Sequence, residues 1–289
     1  MLGRHLLGLY EKALNPELDW KSRFAKAKEL GFDFVEISID ETDERIARLD
    51  WTPTQIEDFR KAACEADVTC QSMCLSAHRR FPFGSKDPEI REKAHTILEK
   101  AVDFCNRSGI RVIQLAGYDV YYETSTSESV KYFKEAMYWA ASVAAQKQVM
   151  LAMEIMDTPF INSISKHIAY EAMIKSPWYK VYPDVGNISA WPENDVDFEF
   201  EHGISSIVGV HLKDTLAVKE DFAGKFKCVP FGQGCVDFVK RFAQLEKLGY
   251  TGPYMMEMWY DGKLFPESEV IRSRKWIEEQ FKSAIKGLV

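Results

Sequence analysis

Glu154, Asp184, His211 and Glu257 stand at or near the C-terminal ends of four successive strand-like runs, VMLAMEIMD, YKVYPDVGN, IVGVHLKD and YMMEMWYDG. Three carboxylates and one imidazole converging on one point make a mixed oxygen and nitrogen site for a divalent metal. An ionised carboxylate inside an apolar strand is costly to bury alone, and a shared cation offsets several of them together. One divalent ion is therefore expected, with these four residues as its ligands. The donor set suits Mn²⁺, Mg²⁺, Co²⁺ or Zn²⁺ and argues against Cu(I) or an iron–sulfur cluster. The residues do not choose among the four.

Convergence requires a fold that brings distant strand ends together. Short β-branched or aromatic runs alternate with longer segments of helical period along the whole chain. Eight strand candidates emerge: LLGLY, FVEISI, VTCQSMCLS, RVIQLAG, VMLAMEIM, KVYPDVG, IVGVHLKD and PYMMEMW. Asp19, Thr52 and Asp87 can each cap a helix, the last two followed by a proline suited to the first turn. Gly31, Gly109 and Gly249 can end helices, because glycine takes the left-handed conformation without a Cβ clash. No Pro/Gly/Ser linker or charge block divides the chain. The pattern predicts an α/β fold, a single (β/α)8 TIM barrel over residues 1–289, whose C-terminal strand ends share one bowl. The sixth unit is the weakest, since SAWPENDVDFEFEHG looks too short and acidic for a full helix. A doubly wound open sheet is the competitor, disfavoured by the lack of GxGxxG after the first strand.

The 289 residues carry a formal charge of −7, which gives no long-range attraction to nucleic acid or to an anionic membrane. No apolar run approaches the length of a spanning helix, and LLGLY suits a strand better than the core of a signal peptide. A soluble, cytoplasmic protein is expected. The six cysteines form no CxxC pair and read as reduced residues of the fold.

A family resemblance then follows from GFDFVEISIDETDERIARLDW, SMCLSAHRRFP, GIRVIQLAGYDVYY, LAMEIMDTPFINSISK, YPDVGNISAW, GVHLKDT, VPFGQGCVDF and GPYMMEMW. These stretches resemble the L-ribulose-5-phosphate or L-xylulose-5-phosphate 3-epimerases of bacterial L-ascorbate and L-xylulose catabolism, within the xylose-isomerase-like barrel superfamily. The resemblance implies a metal on Glu154, Asp184, His211 and Glu257, a phosphorylated ketopentose as substrate, and a homodimer. It also implies inversion of carbon 3 through a metal-stabilised enediolate. That chemistry needs a proton carrier on each face, and Glu154 and Glu257 are expected in those roles. A sugar-phosphate or hexulose-phosphate isomerase would use much the same residues. An endonuclease IV-like nuclease would need more metal ligands and a basic groove, and a non-catalytic barrel would leave the paired glutamates unexplained.

A sugar phosphate needs fixed cations. Ser76, His78, Arg79 and Arg80 fall in one short loop after the third strand, and arginine forks match phosphate oxygens. The loop after the seventh strand offers Lys213, Lys227, Gly232 and Gly234 instead. The Arg79 loop is the favoured clamp, with Lys213 reaching substrate oxygens from the strand phase of His211. Glu36, Gln114 and Asn187 are candidates for substrate hydroxyls or for orienting metal ligands. Trp191, Trp259 and Tyr118 are candidate walls. His5, His95, His167 and His202 have no ligand-like neighbour at metal spacing and receive no chemistry.

Overall fold

The structure, a computed structural model, describes residues 1–263 and 266–288. Its strands are β1 (Leu7–Tyr10), β2 (Phe34–Ile39), β3 (Thr69–Leu75), β4 (Val112–Ala116) and β5 (Met150–Glu154). They continue as β6 (Tyr179–Tyr182), β7 (Val210–Leu212), β8 (Asp214–Leu216), β9 (Lys225–Val229) and β10 (Tyr254–Met256). Eight of them pair in the order β6-β5-β4-β3-β2-β1-β10-β7, every neighbour parallel. Parallel bridges Val181 to Ile207 and Asp184 to His211 hold the remaining seam between β6 and β7. The amides of Val208 and His211 donate across it to Val181 and Pro183 at 3.1 and 2.9 Å. The result is a nearly closed barrel, not an open doubly wound sheet.

Local chemistry sets the helix boundaries. Asp19 accepts from the Ser22 amide, Thr52 forms a capping box with Gln55, and Asp87 accepts from the Glu89 amide. Pro53 and Pro88 open their helices, where a missing N–H costs nothing. The helix Pro88–Ser108 buries Ala94, Ile97, Leu98, Ala101, Val102 and Cys105, the spacing of one face turned to the sheet. The acidic sixth unit yields two short helices, Val185–Ser189 and Val196–Gly203. Gly8 on β1 is required by packing, since a Cβ there would lie 2.2 Å from the Phe34 ring.

The seventh candidate strand ends sooner than its pattern suggests. After β7 the chain turns into an antiparallel hairpin, β8 and β9, that stands outside the barrel. Asp214 is the physical cause. Its carboxylate accepts the amides of Thr215, Gly232, Gly234 and Val236 at 2.8–3.3 Å, tying both feet of the hairpin together. All six cysteines are free thiols. Among the described residues, no helix is long and apolar enough to cross a membrane.

Candidate metal centre and substrate bowl

Glu154 ends β5, Asp184 lies two residues beyond β6, His211 is central in β7, and Glu257 follows β10. One ligand atom from each falls within 4.8 Å of all the others, and all four side chains are buried. His211 presents Nδ1 to the group, at 3.8 Å from Glu154 Oε1, 3.9 Å from Asp184 Oδ2 and 3.8 Å from Glu257 Oε2. Oxygen and nitrogen ligands about 2.1 Å from one ion lie at most about 4.2 Å apart, so small side-chain shifts close the set around a cation. Asp184 Oδ2 and Glu257 Oε2 are buried, with the Lys213 amine as the cation beside them. The cluster can hold a metal.

A layer beneath holds the donors in place. Glu36 Oε1 lies 3.1 Å from His211 Nε2, and its other oxygen accepts from Ser72 Oγ at 2.6 Å. A carboxylate on Nε2 keeps the proton there and leaves Nδ1 free for a metal. Gln114 Nε2 lies 3.0–3.1 Å from the two ring nitrogens, and the Tyr182 ring packs edge-on to the imidazole. Asp184 caps the helix Val185–Ser189 by accepting the Asn187 amide at 2.8 Å, which orients its second oxygen. Asn187 Nδ2 donates to the Ile155 carbonyl at 2.8 Å, leaving its Oδ1 buried and unpaired.

Lys213 is the cluster's own cation, with Nζ 3.0 Å from Asp184 Oδ2 and 2.9 Å from Glu257 Oε2. Burial and the charge of Glu257 push the Glu154 carboxyl up to about 8. Burial likewise lifts Asp184 to about 6, against the pull of Lys213. Glu257 goes the other way: Lys213 and His211 overcome its burial and hold it at about 2. Burial lowers His211, yet Glu36 and the surrounding carboxylates win and lift it to about 9.

Above the cluster lies a narrow bowl lined by Tyr10, Lys12, Cys74, Ser76, Arg79 and Asp157, with Asn187, Lys213, Lys227 and Trp259. Larger grooves, such as the one at Trp20, Trp51 and Phe59, lie on the outer helices away from these carboxylates. The favoured loop divides. Ser76 and Arg79 face the bowl, whereas Arg80 turns outward to Asp43 Oδ1 at 2.7 Å and the Glu41 carbonyl. His78 is buried against Phe83, its Nε2 3.1 Å from the Ala94 carbonyl. Gly232 and Gly234 give their amides to Asp214, so neither is open to a ligand. Trp191 packs on Phe226, and Tyr118 stacks beside Arg79. Tyr10, Lys12, Cys74 and Asp157 also reach the bowl, and sequence reasoning passed over them. Their signal was the alternation that placed Tyr10 and Cys74 near their own strand ends.

The comparisons agree with this geometry. The family described as xylose isomerase-like TIM barrel matches residues 24–280. A Salmonella heidelberg protein named L-ribulose-5-phosphate 3-epimerase UlaE is 49% identical over 290 residues, covering 100% of this chain and 99% of that one. A Shigella boydii protein of the same name is 48% identical over 285 residues, 98% of each chain. The solved 3-keto-D-glucoside 4-epimerase YcjR of E. coli superposes with a TM-score of 0.76 at 17% identity, over 95% of this chain and 99% of its own. The chain belongs to the xylose isomerase-like TIM barrel family, among relatives that carry the L-ribulose-5-phosphate 3-epimerase name, and is by class an isomerase.

Proposed function

We propose that the protein is a divalent-metal-dependent 3-epimerase that interconverts L-ribulose 5-phosphate and L-xylulose 5-phosphate. The observation that carries this reading is the buried cluster of Glu154, Asp184, His211 and Glu257, in a chain 48–49% identical to proteins named for that reaction. These four residues would hold the ion, with Mn²⁺, Zn²⁺, Co²⁺ and Mg²⁺ all compatible. When bound, it supplies Lewis acidity toward a ketose carbonyl and the neighbouring hydroxyl.

The chain's own residues do the rest. Glu154 and Glu257 come from strands separated around the ring by β6 and β7, so their carboxylates approach a bound sugar from different sides. Each holds or takes the carbon 3 proton at a carboxylate oxygen, one on each face. Lys213 Nζ, already between Asp184 and Glu257, is placed to donate to a substrate oxygen. Asn187 Oδ1 offers an unused acceptor for a sugar hydroxyl. Trp259 packs edge-on to Tyr10 at 6.3 Å and walls one side against water.

Incubation of metal-loaded protein with L-ribulose 5-phosphate in D₂O tests the reading. NMR is expected to show L-xylulose 5-phosphate with deuterium at carbon 3. Label at carbon 1 or 2, or no product with any of the four metals, would overturn it.

Metal uptake carries its own pH signature. Glu154, raised to about 8, and His211, raised to about 9, hold protons at neutral pH in the metal-free protein. A cation must displace both, so affinity is expected to rise from pH 6 to about 9 with more than one proton released per ion near pH 7. Glu257, held at about 2, contributes nothing over that range. Calorimetry in buffers of different ionisation heat reads the protons directly, and pH-independent uptake would contradict this ligand set.

A further inference from the structure

Strands β2 and β3 pair residue for residue except at one step. Val35 faces Cys70, and the next residue, Glu36, faces Ser72, so Gln71 is an extra residue in β3 and forms a bulge. Uninterrupted, the register would set Gln71 opposite Glu36. The bulge is anchored from its other side, where the Arg111 amide donates to the Gln71 carbonyl at 3.2 Å. Beyond it the alternation of a strand resumes, with Ser72 and Cys74 turned to the barrel interior and Met73 and Leu75 packed in the surrounding core. The bulge thus sets a short hydroxyl where a long amide would otherwise stand. Ser72 Oγ donates to Glu36 Oε2 at 2.6 Å, and both side chains are buried.

Glu36 is 0% exposed and is not among the residues that line the bowl, so it touches no substrate. Its oxygens are divided between Ser72 and His211 Nε2, the latter at 3.1 Å. What Glu36 does, it does through the imidazole. That ring is held on two further sides. The Tyr182 ring stands 4.7 Å away, turned by 72°. Gln114 Nε2 lies 3.1 Å from Nδ1 and 3.0 Å from Nε2. A single atom so close to both nitrogens cannot lie in the plane of the ring, so the Gln114 amide covers its face and takes neither lone pair. Packing therefore resists turning the ring over, and Glu36 decides which nitrogen keeps its proton.

We infer that Ser72, set in place by the β3 bulge, is a positioning residue that acts through Glu36 to hold the proton on His211 Nε2, and so weights the site toward ions that favour nitrogen donors. This rests on the reading of Glu154, Asp184, His211 and Glu257 as metal ligands. An imidazole whose Nε2–H is held by a carboxyl group is the stronger donor at Nδ1. Zn²⁺ and Co²⁺ take imidazole readily, whereas Mg²⁺ prefers oxygen, so Mg²⁺ gains least from the arrangement. The three carboxylates by themselves make no such distinction.

Chelator competition on the whole protein measures Zn²⁺ and Mg²⁺ affinity, and ¹⁵N NMR of the Zn²⁺-loaded, histidine-labelled protein reads which His211 nitrogen carries the proton. Ser72→Ala is expected to weaken Zn²⁺ binding by about 10-fold and Glu36→Gln by about 10- to 100-fold, the range seen when a group that orients a metal-bound histidine is lost. Mg²⁺ affinity should fall by less than about threefold in both, because its binding leans on the carboxylates. Ser72→Thr, which keeps the hydroxyl and suits a strand, should bring Zn²⁺ affinity back to within about threefold of the parent. In the parent the proton should sit on Nε2 and exchange slowly with water, and in Ser72→Ala it should exchange faster. Equal weakening of both ions, as a mere loss of packing would give, or unchanged Zn²⁺ affinity in Ser72→Ala, or a Zn²⁺-loaded parent with the proton on Nδ1, would each overturn the inference. A parent that takes up no divalent ion would overturn it together with the metal reading. A parent that binds Zn²⁺ in the expected pattern but epimerises no ketopentose phosphate would overturn the proposed function and leave this inference standing.

Discussion

Glu154→Gln and Glu257→Gln are each expected to lower turnover by about 10³-fold or more with the fold retained. Glutamine keeps the size and one oxygen of the native side chain but does not exchange a proton at neutral pH. Loss of one positioned acid or base costs about 10²–10⁴ in rate, and weakened metal binding adds to this. Because both carriers are needed for every inversion, the double variant should be scarcely slower than either single one. A sharper signature lies in partial reactions. Each single variant retains one proton carrier and should still wash out the carbon 3 hydrogen of one epimer, a different epimer in each case. Metal content must be measured alongside, because both residues belong to the cluster. Either variant running within tenfold of the parent with metal bound would refute the two-carrier scheme.

The barrel was legible because strand and helix periods alternate with short capped connections, and each cap is a local event. Asp19, Thr52 and Asp87 needed only their own next few residues to declare themselves. The meeting of Glu154, Asp184, His211 and Glu257 was legible at one remove, since a closed barrel gathers its strand ends, and their atoms do come within 4.8 Å. Their service as metal ligands belongs to the proposal. What local pattern does not carry is direction. Arg79 and Arg80 are adjacent and chemically identical, yet the single tight turn Ser76–Arg79 sends one into the bowl and the other to Asp43. The hairpin was hidden for a similar reason. Asp214 reads as the last residue of a strand, and its role depends on amides some twenty positions later. Lys227 therefore looked like one basic residue in a loop, because nothing before the fold marks the hairpin that carries it. Glu36 showed only a polar residue in an apolar strand, and its contact with His211 spans 175 positions.

Glu11 was the least legible residue of all, and its replacement carries the largest expected loss of stability. It is 0% exposed, and both of its oxygens are engaged. Arg23 Nη1 lies 2.9 Å from one; Arg45 Nη1, Arg48 Nη1 and the Ser38 amide lie 2.6, 2.6 and 2.7 Å from the other. Removing the carboxylate leaves three guanidinium groups crowded together with Asp40 as the remaining near counter-charge, 3.3 Å from Arg45 Nε. Breaking a buried ion pair by deleting one partner costs about 3–5 kcal/mol, because the desolvated partner stays behind. Glu11→Gln, which preserves shape, is expected to fall in that range and to lower the melting temperature by roughly 10 °C. Thermal and urea unfolding would measure it. Exposed pairs give the internal control: Arg80 and Asp43 are solvated, so Asp43→Asn should move stability little. The effect should also reach the bowl. Glu11 stands between Tyr10, whose hydroxyl bonds Ser38 Oγ at 2.9 Å, and Lys12, whose amine lies 2.5 Å from Asp40, and both flanking residues line the bowl. A Glu11→Gln protein as stable as the parent would mean that the three arginines find other acceptors, and that this end of β1 is held by packing and not by charge.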